Sequence, residues 1–461
     1  MEKKNEEKKK TLREKVANNL AVERMFAEVS QQELADRLGT SKSSISRIEH
    51  GGQNITLDYV SAYAEALGRE VSFNVYEPPV EYGDTSTYYL RLYDEKLMQF
   101  TLSRSSGQYV ELLWVNKEKE HLLPLDLELT PEGIERWLRS RTIPKNREMV
   151  EKVLGSFDLS IDDIKGITDI CMGLSLNDSY WITQEDFEGS FAEYNLYKNE
   201  FSYALSLVAY TGGDYNDTAF RTSPELTTGG MLRKGWRFFG PDNIWLYKGG
   251  TFGFANTGNE PYSEFYASQI AERMGLNAVK YELENWMGIL ASKCRLFTDI
   301  DTSYIPTGRI VGTGGIDACL DYYRELGEEF FQQLADMLVF DAVIVNEDRH
   351  YGNFGLLRDN RTGKIIAPAP VFDNGLSLLC YGMKEDFKDI GKYLNTRSNP
   401  YGAGNDFMSL AKRVMGQRQK AMLRRLINFR FEDSDAANPP AWRKEALEQL
   451  VQERVQELLK D

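Results

Sequence analysis

The chain has 461 residues, enough for two or three domains, with an ordinary globular make-up of 42% hydrophobic and 12% aromatic residues. Its net charge of −15 excludes a protein that is basic throughout, but not a local basic face. Four scattered cysteines and three histidines argue against a disulfide scaffold or a structural zinc site. With no apolar run of membrane length and no apolar signal core near the charged N-terminus, a cytoplasmic location is expected and a membrane partner is not.

Residues 1–15 are a Lys/Glu run, read as a solvated helix start. From 16 to 75 the pattern is helical. Ser30-Gln31-Gln32-Glu33 is a capping box that opens a short helix through Leu38, and Gly39 breaks it. Thr40-Ser41 starts another helix over 42–49 with Ile45 and Ile48 inward, and a further helix runs from Leu57 to Leu67. Two short helices joined through a glycine turn predict a helix-turn-helix. Ser30-Gln31-Gln32-Glu33-Leu34-Ala35, Gly39-Thr40-Ser41 and Ile45-Ser46-Arg47-Ile48-Glu49-His50-Gly51 resemble the Cro/repressor-type (XRE) family. The resemblance implies that the helix from Ser41 enters the major groove of operator DNA. Lys42, Ser43 and Arg47 are then the base-reading candidates, and Gln31 and Ser41, at helix starts, the phosphate contacts.

Residues 76–87 read as a linker. Strands are expected over 88–100 and 109–116, a helix from Pro131, another over 147–154, and a strand-like stretch over 167–174. The aromatic-rich segment 176–197 reads first as packing with satisfied amides, and second as a recognition surface.

Thr227-Thr228-Gly229-Gly230 leads to Lys234. Paired glycines flanked by hydroxyls can turn backbone N–H groups toward phosphate, although no P-loop or dinucleotide fingerprint is present. Ile244-Trp245-Leu246-Tyr247-Lys248 is a short strand ending in a lysine suited to the α/β-phosphates of a nucleotide. The helix after it offers Glu264 as ion-pair partner, with Glu260 as runner-up. Two strands, 279–283 and 288–297, run into a hinge where backbone near Cys294 and Leu296 is expected to meet the base. Helices follow, notably over 322–345, 409–429 and 442–459.

Asn346-Glu347-Asp348-Arg349-His350-Tyr351-Gly352-Asn353-Phe354-Gly355, then Phe372-Asp373-Asn374-Gly375, spaces a carboxylate, a carboxamide and a second carboxylate as phosphoryl transfer needs. Asp348 can take the proton of an attacking hydroxyl, and Asn353 and Asp373 can hold Mg²⁺ on ATP. His350 is read as supporting this loop. These motifs resemble the HipA-like serine/threonine kinases, bacterial proteins often paired with an antitoxin. The resemblance spans about Trp245 to Phe429. It implies a multidomain chain: an all-α helix-turn-helix domain at 1–75, a kinase N-terminal lobe with an extra subdomain at 88–298, and a helical C-terminal lobe at 299–461, together an α+β two-lobed fold. It also implies autophosphorylation, with Thr227 or Thr228 as the acceptor, and autorepression of its own operon. A translation component as protein substrate, a separate antitoxin and a homodimer are further implied partners. Two other readings stay open: a nucleotide-sensing regulator with a catalytically silent kinase-like domain, and a kinase acting on a small molecule or lipid.

Overall fold

The computed structural model describes residues 12–27, 29–69, 71, 85–103, 109–213, 222–253, 256–312, 314–397, 399–401 and 406–460. The Lys/Glu run up to residue 11 and the linker up to residue 84 lie outside these described residues.

Four helices form the N-terminal unit: α1 (Leu12–Phe26), α2 (Gln31–Arg37), α3 (Lys42–Glu49) and α4 (Leu57–Ala66). Local chemistry sets their ends. Ser30 and Glu33 close the expected capping box on α2, Gly39 turns the chain at φ 61°, and the Ser41 hydroxyl accepts the Ser44 N–H to cap α3. Leu34, Ile45, Ile48, Val60 and Tyr63 face inward, together with Leu20 of α1. At the centre is a buried carboxylate. Glu49 accepts from Arg24 Nε at 2.6 Å, Gln31 Nε2 at 2.7 Å and the Tyr63 hydroxyl at 2.5 Å. The helix α1 also serves a second core, because Val22 and Met25 pack with Val153, Leu154 and Leu205 of the body. The unit is therefore docked on the body through α1.

The body begins with β1 (Thr85–Leu92), β2 (Glu95–Ser103) and β3 (Tyr109–Val115), so residues 85–87, expected in the linker, are already strand. Next come α5 (Pro131–Arg139), α6 (Val150–Gly155), α7 (Ile164–Cys171) and β4 (Tyr180–Gln184), and the sheet order is β3-β2-β1-β4. The strand expected over 167–174 is a helix up to Cys171. Asp163 caps it by accepting Gly166 N–H, and Ile164, Ile167 and Cys171 bury one helical face. The strand comes later, inside the aromatic segment. There the packing reading holds for Asn195, which donates to Phe191 O and accepts from Tyr197 and Lys198 N–H.

After α8 (Phe191–Tyr194) and α9 (Tyr203–Thr211), a second antiparallel sheet is built from β5 (Lys234–Phe238), β6 (Ile244–Gly249), β7 (Tyr281–Trp286) and β8 (Ile289–Arg295), in the order β5-β6-β8-β7. The helix α10 (Glu260–Met274) connects β6 to β7. Met287 and Gly288 turn the β7–β8 hairpin with both φ positive, as a tight two-residue connection requires. One face of this sheet presents Tyr247 and Trp286 to α9, where Tyr210 stacks on Trp286 with ring centroids 4.3 Å apart. By alternation and register the opposite face carries Lys234, Lys248 and Cys294.

The remainder is mainly helical: β9 (Thr302–Pro306), α11 (Gly308–Val311), α12 (Gly315–Leu326), α13 (Glu328–Ile344), β10 (Gly355–Asp359), β11 (Ile365–Pro368), α14 (Ile390–Leu394), α15 (Phe407–Val414), α16 (Gln417–Arg424) and α17 (Ala441–Leu459). The helix expected over 322–345 is two helices, split at Gly327, whose φ of 135° no helix accommodates. The one expected over 409–429 breaks at Gly416, which is extended. The chain is thus an all-α helix-turn-helix unit followed by an α+β body of several sheets, the expected fold class. No helix among the described residues is long and apolar enough to cross a membrane.

The Glu49 cluster generates a stability prediction. Glu49→Ala leaves the guanidinium of Arg24 enclosed without its counter-ion, which costs about 3 kcal/mol. Hydrogen exchange should show α2 and α3 losing protection first; unchanged protection contradicts the role given to Glu49.

Candidate active site

The loop after α13 carries the polar residues, and one side chain shapes it. Arg349 is wholly enclosed and pairs with the buried carboxylate of Asp341, its Nε 3.0 Å from Oδ2. Its Nη1 donates to Asn353 O at 3.1 Å, to Asp373 O at 3.4 Å and to Phe372 O. Its Nη2 donates to Asp341 Oδ1 and to Asn374 Oδ1. The backbones of Asn353 and Asp373 therefore hang on one guanidinium. Asn346 adds to this frame, accepting Asp348 N–H at 3.1 Å. Asn353 donates its Nδ2–H to Asp348 O at 3.0 Å, which commits the amide's donor end.

Lys248 reaches across from β6. Its Nζ lies 2.8 Å from Glu264 Oε1 on α10 and 2.8 Å from Asp373 Oδ1. Glu264 also accepts Asn374 N–H, and Asp373 N–H donates to the Tyr281 hydroxyl. The runner-up, Glu260, is engaged elsewhere, with Thr251 and the Tyr381 hydroxyl. Lys234, the register partner of Lys248, is buried and donates to Gly229 O at 2.8 Å. Gly230 has φ 86° and sits against that ammonium so closely that a Cβ there would meet Nζ at 2.2 Å. The Gly229–Gly230 turn and both lysines are thus one assembly.

The charges are strongly coupled. Burial works against the charge on Lys248, but Asp373 and Glu264 outweigh it and hold its pKa well above the usual lysine range. Burial pushes Asp373 up, yet Lys248 and Lys234 overcome this and keep it ionised, below the usual carboxylate range. Glu264, more enclosed, is raised by burial against the pull of Lys248, so the firmer partner of the lysine is Asp373. Lys234 is lowered to about 7, by burial first and by Lys248 and Arg147 next, against Asp373. Burial raises Asp348 above the usual range, and Asp373 adds to this while His350 opposes it. The His350 ring accepts Gly352 N–H at 3.0 Å and so braces the loop.

Other expected positions fall differently. Thr227 is buried and donates to Leu174 O, while Thr228 donates to Pro224 O and accepts from the Trp236 indole. Phosphorylation at either hydroxyl requires this turn to open. Cys294 lies inside β8, between β6 and β7, so its backbone is flanked by strands, and Leu296 N–H donates to Ile244 O. Neither of those two backbone donors is left for a base. A cavity of about 500 Å³ opens beside them, lined by Ile244, Leu296, Phe297, Thr298 and, from the preceding subdomain, Tyr197 and Lys198. It is not at Lys248. Ile244 and Lys248 share a face of β6, four residues or about 13 Å apart.

On the N-terminal unit, Lys42, Ser43 and Arg47 are exposed along α3. Ser41 serves as cap, and the Gln31 side chain is spent on Glu49. Sequence reasoning missed the roles of Asp341, Arg349, Asn374 and Tyr281. Arg349 and Asn374 stood within the quoted motifs; nothing local marked Asp341 or Tyr281.

Comparison with known proteins gives three findings. Residues 27–74 match the helix-turn-helix family model. No curated protein matches the chain. Among solved structures the chain is similar to the Helicobacter pylori proinflammatory kinase CtkA, at 18% identity over 49% of this chain and 90% of that one, with a TM-score of 0.37. It is also similar to the Shewanella oneidensis MR-1 toxin–antitoxin system of HipA, HipB and operator DNA, at 12% identity over 81% of this chain and 97% of that one, with a TM-score of 0.46. Both likenesses are distant.

A polyanion entering this cleft stabilises the charged form of Lys234. Binding of inorganic triphosphate or ATP should therefore take up a proton, and affinity should fall as pH rises from about 7.5 to about 9, above the phosphate titration. Calorimetry in buffers of different ionisation enthalpy reads this uptake. Lys234→Met should abolish it; equal uptake in that variant assigns the proton elsewhere.

Proposed function

We propose that the chain is an ATP- and Mg²⁺-dependent serine/threonine protein kinase of HipA-like type that carries its own DNA-binding unit. The observation that carries this reading is the Lys248–Glu264–Asp373 cluster, facing a loop whose Asn353 shares the Arg349 anchor with Asp373 and whose Asp348 N–H is held by Asn346. A lysine gripped by a helix carboxylate, a proton acceptor and two oxygen ligands are the parts that phosphoryl transfer uses. Residues 85–298 are assigned to an N-terminal lobe with an extra subdomain, and 299–461 to the helical lobe. Residues 1–75 are assigned to operator binding through Lys42, Ser43 and Arg47, in support of which α3 presents them to solvent.

In this reading Lys248, Lys234 and the Gly229–Gly230 turn receive the phosphates. The base is assigned to the cavity beside Leu296, which is at a triphosphate's reach along β6. Asn353 and Asp373 fit Mg²⁺: they are hard oxygen ligands, two in number, and a magnesium ion arriving on a nucleotide needs no larger protein cage. No group of three or more His, Cys, Asp or Glu able to hold a metal occurs among the described residues. When bound, Mg²⁺ supplies charge neutralisation on the phosphates. Asp348 orients the acceptor hydroxyl and takes its proton as the oxygen bonds to the γ-phosphorus and the bond to ADP breaks. Its raised pKa makes it a stronger base than an exposed aspartate. A protein acceptor and operator DNA are the partners, in keeping with a growth-arrest kinase of toxin–antitoxin type.

Radiolabelled ATP with Mg²⁺, the purified chain and a cell lysate test this directly. Asp348→Ala should lower transfer by about 10²- to 10⁴-fold while ATP still binds. Wild-type protein that binds ATP yet labels neither itself nor any lysate protein would point to the silent nucleotide sensor instead.

A further inference from the structure

The glycine turn between residues 226 and 234 belongs to neither sheet, yet the phosphate site proposed above needs it in one conformation. What holds it comes from far away in the chain. Arg147 precedes α6, and its side chain has no solvent exposure. Its Nη1 donates to Glu225 O at 2.9 Å and to Thr228 O at 3.1 Å. Its Nη2 donates to Glu225 Oε2 at 2.5 Å and to Lys234 O at 3.1 Å. The same Glu225 accepts Trp236 N–H on its other oxygen at 2.7 Å. The neighbouring Glu148 reaches the tip: its N–H donates to Met231 O at 2.8 Å, and its carboxylate accepts Arg233 Nε–H at 3.1 Å. Two adjacent residues thus tie both ends and the tip of the turn.

Enclosing a guanidinium is costly, and a hydrophobic side chain of similar volume often serves stability as well or better. A methionine, however, has no fork of donors with which to fix three carbonyls at once. The bonds made by Arg147 go to the turn and its counter-ion Glu225, which itself opens the turn. Paired glycines lose much conformational freedom when ordered, so an external clamp is what would make the turn a preformed anion cradle.

We infer that Arg147, assisted by Glu148, is a positioning residue for nucleotide phosphate. It fixes the glycine turn, and through the Lys234 carbonyl the start of β5, so that Lys234 and the Gly229–Gly230 amides meet the phosphates together. It touches neither the base cavity nor Asp348. This inference rests on the kinase reading for its ligand, but the clamp on the turn is a separate physical claim.

The test uses the full chain with Arg147→Lys, which keeps the charge but loses the fork, and Glu148→Ala, at a half-buried position outside the Arg147–Glu225 ion pair. Two measurements are made on each: hydrogen exchange across 225–236, and affinity for ATP against adenosine. Arg147→Lys should speed exchange in the turn and weaken ATP by about tenfold or more, with adenosine changed by less than about twofold and the rate at saturating ATP nearly kept. Glu148→Ala should move both readouts the same way by less. Unchanged exchange in the turn with both variants overturns the clamp. ATP and adenosine weakened equally, or ATP not weakened at all, overturns the positioning role. Wild type that binds no ATP while the variants still loosen the turn would count against the kinase reading and would overturn the nucleotide part of this inference, while the clamp on the turn stands.

Discussion

A guanidinium without solvent contact must spend its donors on protein acceptors, and Arg349 spends them on two loops that lie apart in sequence. Asp341 neutralises it from the last turn of α13, and the remaining donors take the carbonyls of Asn353, Phe372 and Asp373 and the amide oxygen of Asn374. Removing either member of the pair strands a buried charge, a cost of about 3–5 kcal/mol. The relative placement of Asn353 and Asp373 depends on this pair, and so does the approach of Asp373 to Lys248. The helical part and the second sheet are joined at the cleft by these contacts rather than by apolar packing alone.

The cleft gathers like charges. Lys234 and Lys248 lie side by side on adjacent strands, and Asp373 serves both electrostatically. Burial lowers Lys234 to about 7, and its ammonium is bonded to a backbone carbonyl. Such a site gains more from a polyphosphate than from any neutral ligand. The N-terminal unit is not remote from this arrangement. Val22 and Met25 of α1 pack on the α6 region, and the residue pair that braces the glycine turn lies just before α6. The helix-turn-helix unit and the glycine turn therefore rest on a common support.

What the sequence made legible is what short-range chemistry decides. Capping by Ser30, Glu33 and Ser41 and the turn at Gly39 delimited the helix-turn-helix closely, and the spacing of Asp348, Asn353 and Asp373 marked the polar loop. Period was harder to read: the short, mostly apolar run from Ile167 to Leu174 does not by itself separate a buried strand from a helix until Ile164 and Ile167, three apart, are seen buried on one helical face, and Gly327 needed its observed φ to be seen as a break. Long-range partners were not legible. Nothing near Arg147 announces that it meets a turn 78 to 87 residues later, and nothing near Leu296 shows that its amide is taken by Ile244.

Phosphoryl transfer as proposed requires Asp373 and Asn353 as oxygen ligands to a magnesium ion that arrives with the nucleotide. The most direct measurement is calorimetric titration of the full chain with a non-hydrolysable ATP analogue, with Mg²⁺ and with EDTA, in wild type and Asp373→Asn. Binding should be tight and dependent on Mg²⁺ in the wild type and should lose that dependence in Asp373→Asn. Binding of equal strength with and without Mg²⁺ in the wild type, or the same Mg²⁺ dependence in both proteins, would contradict it.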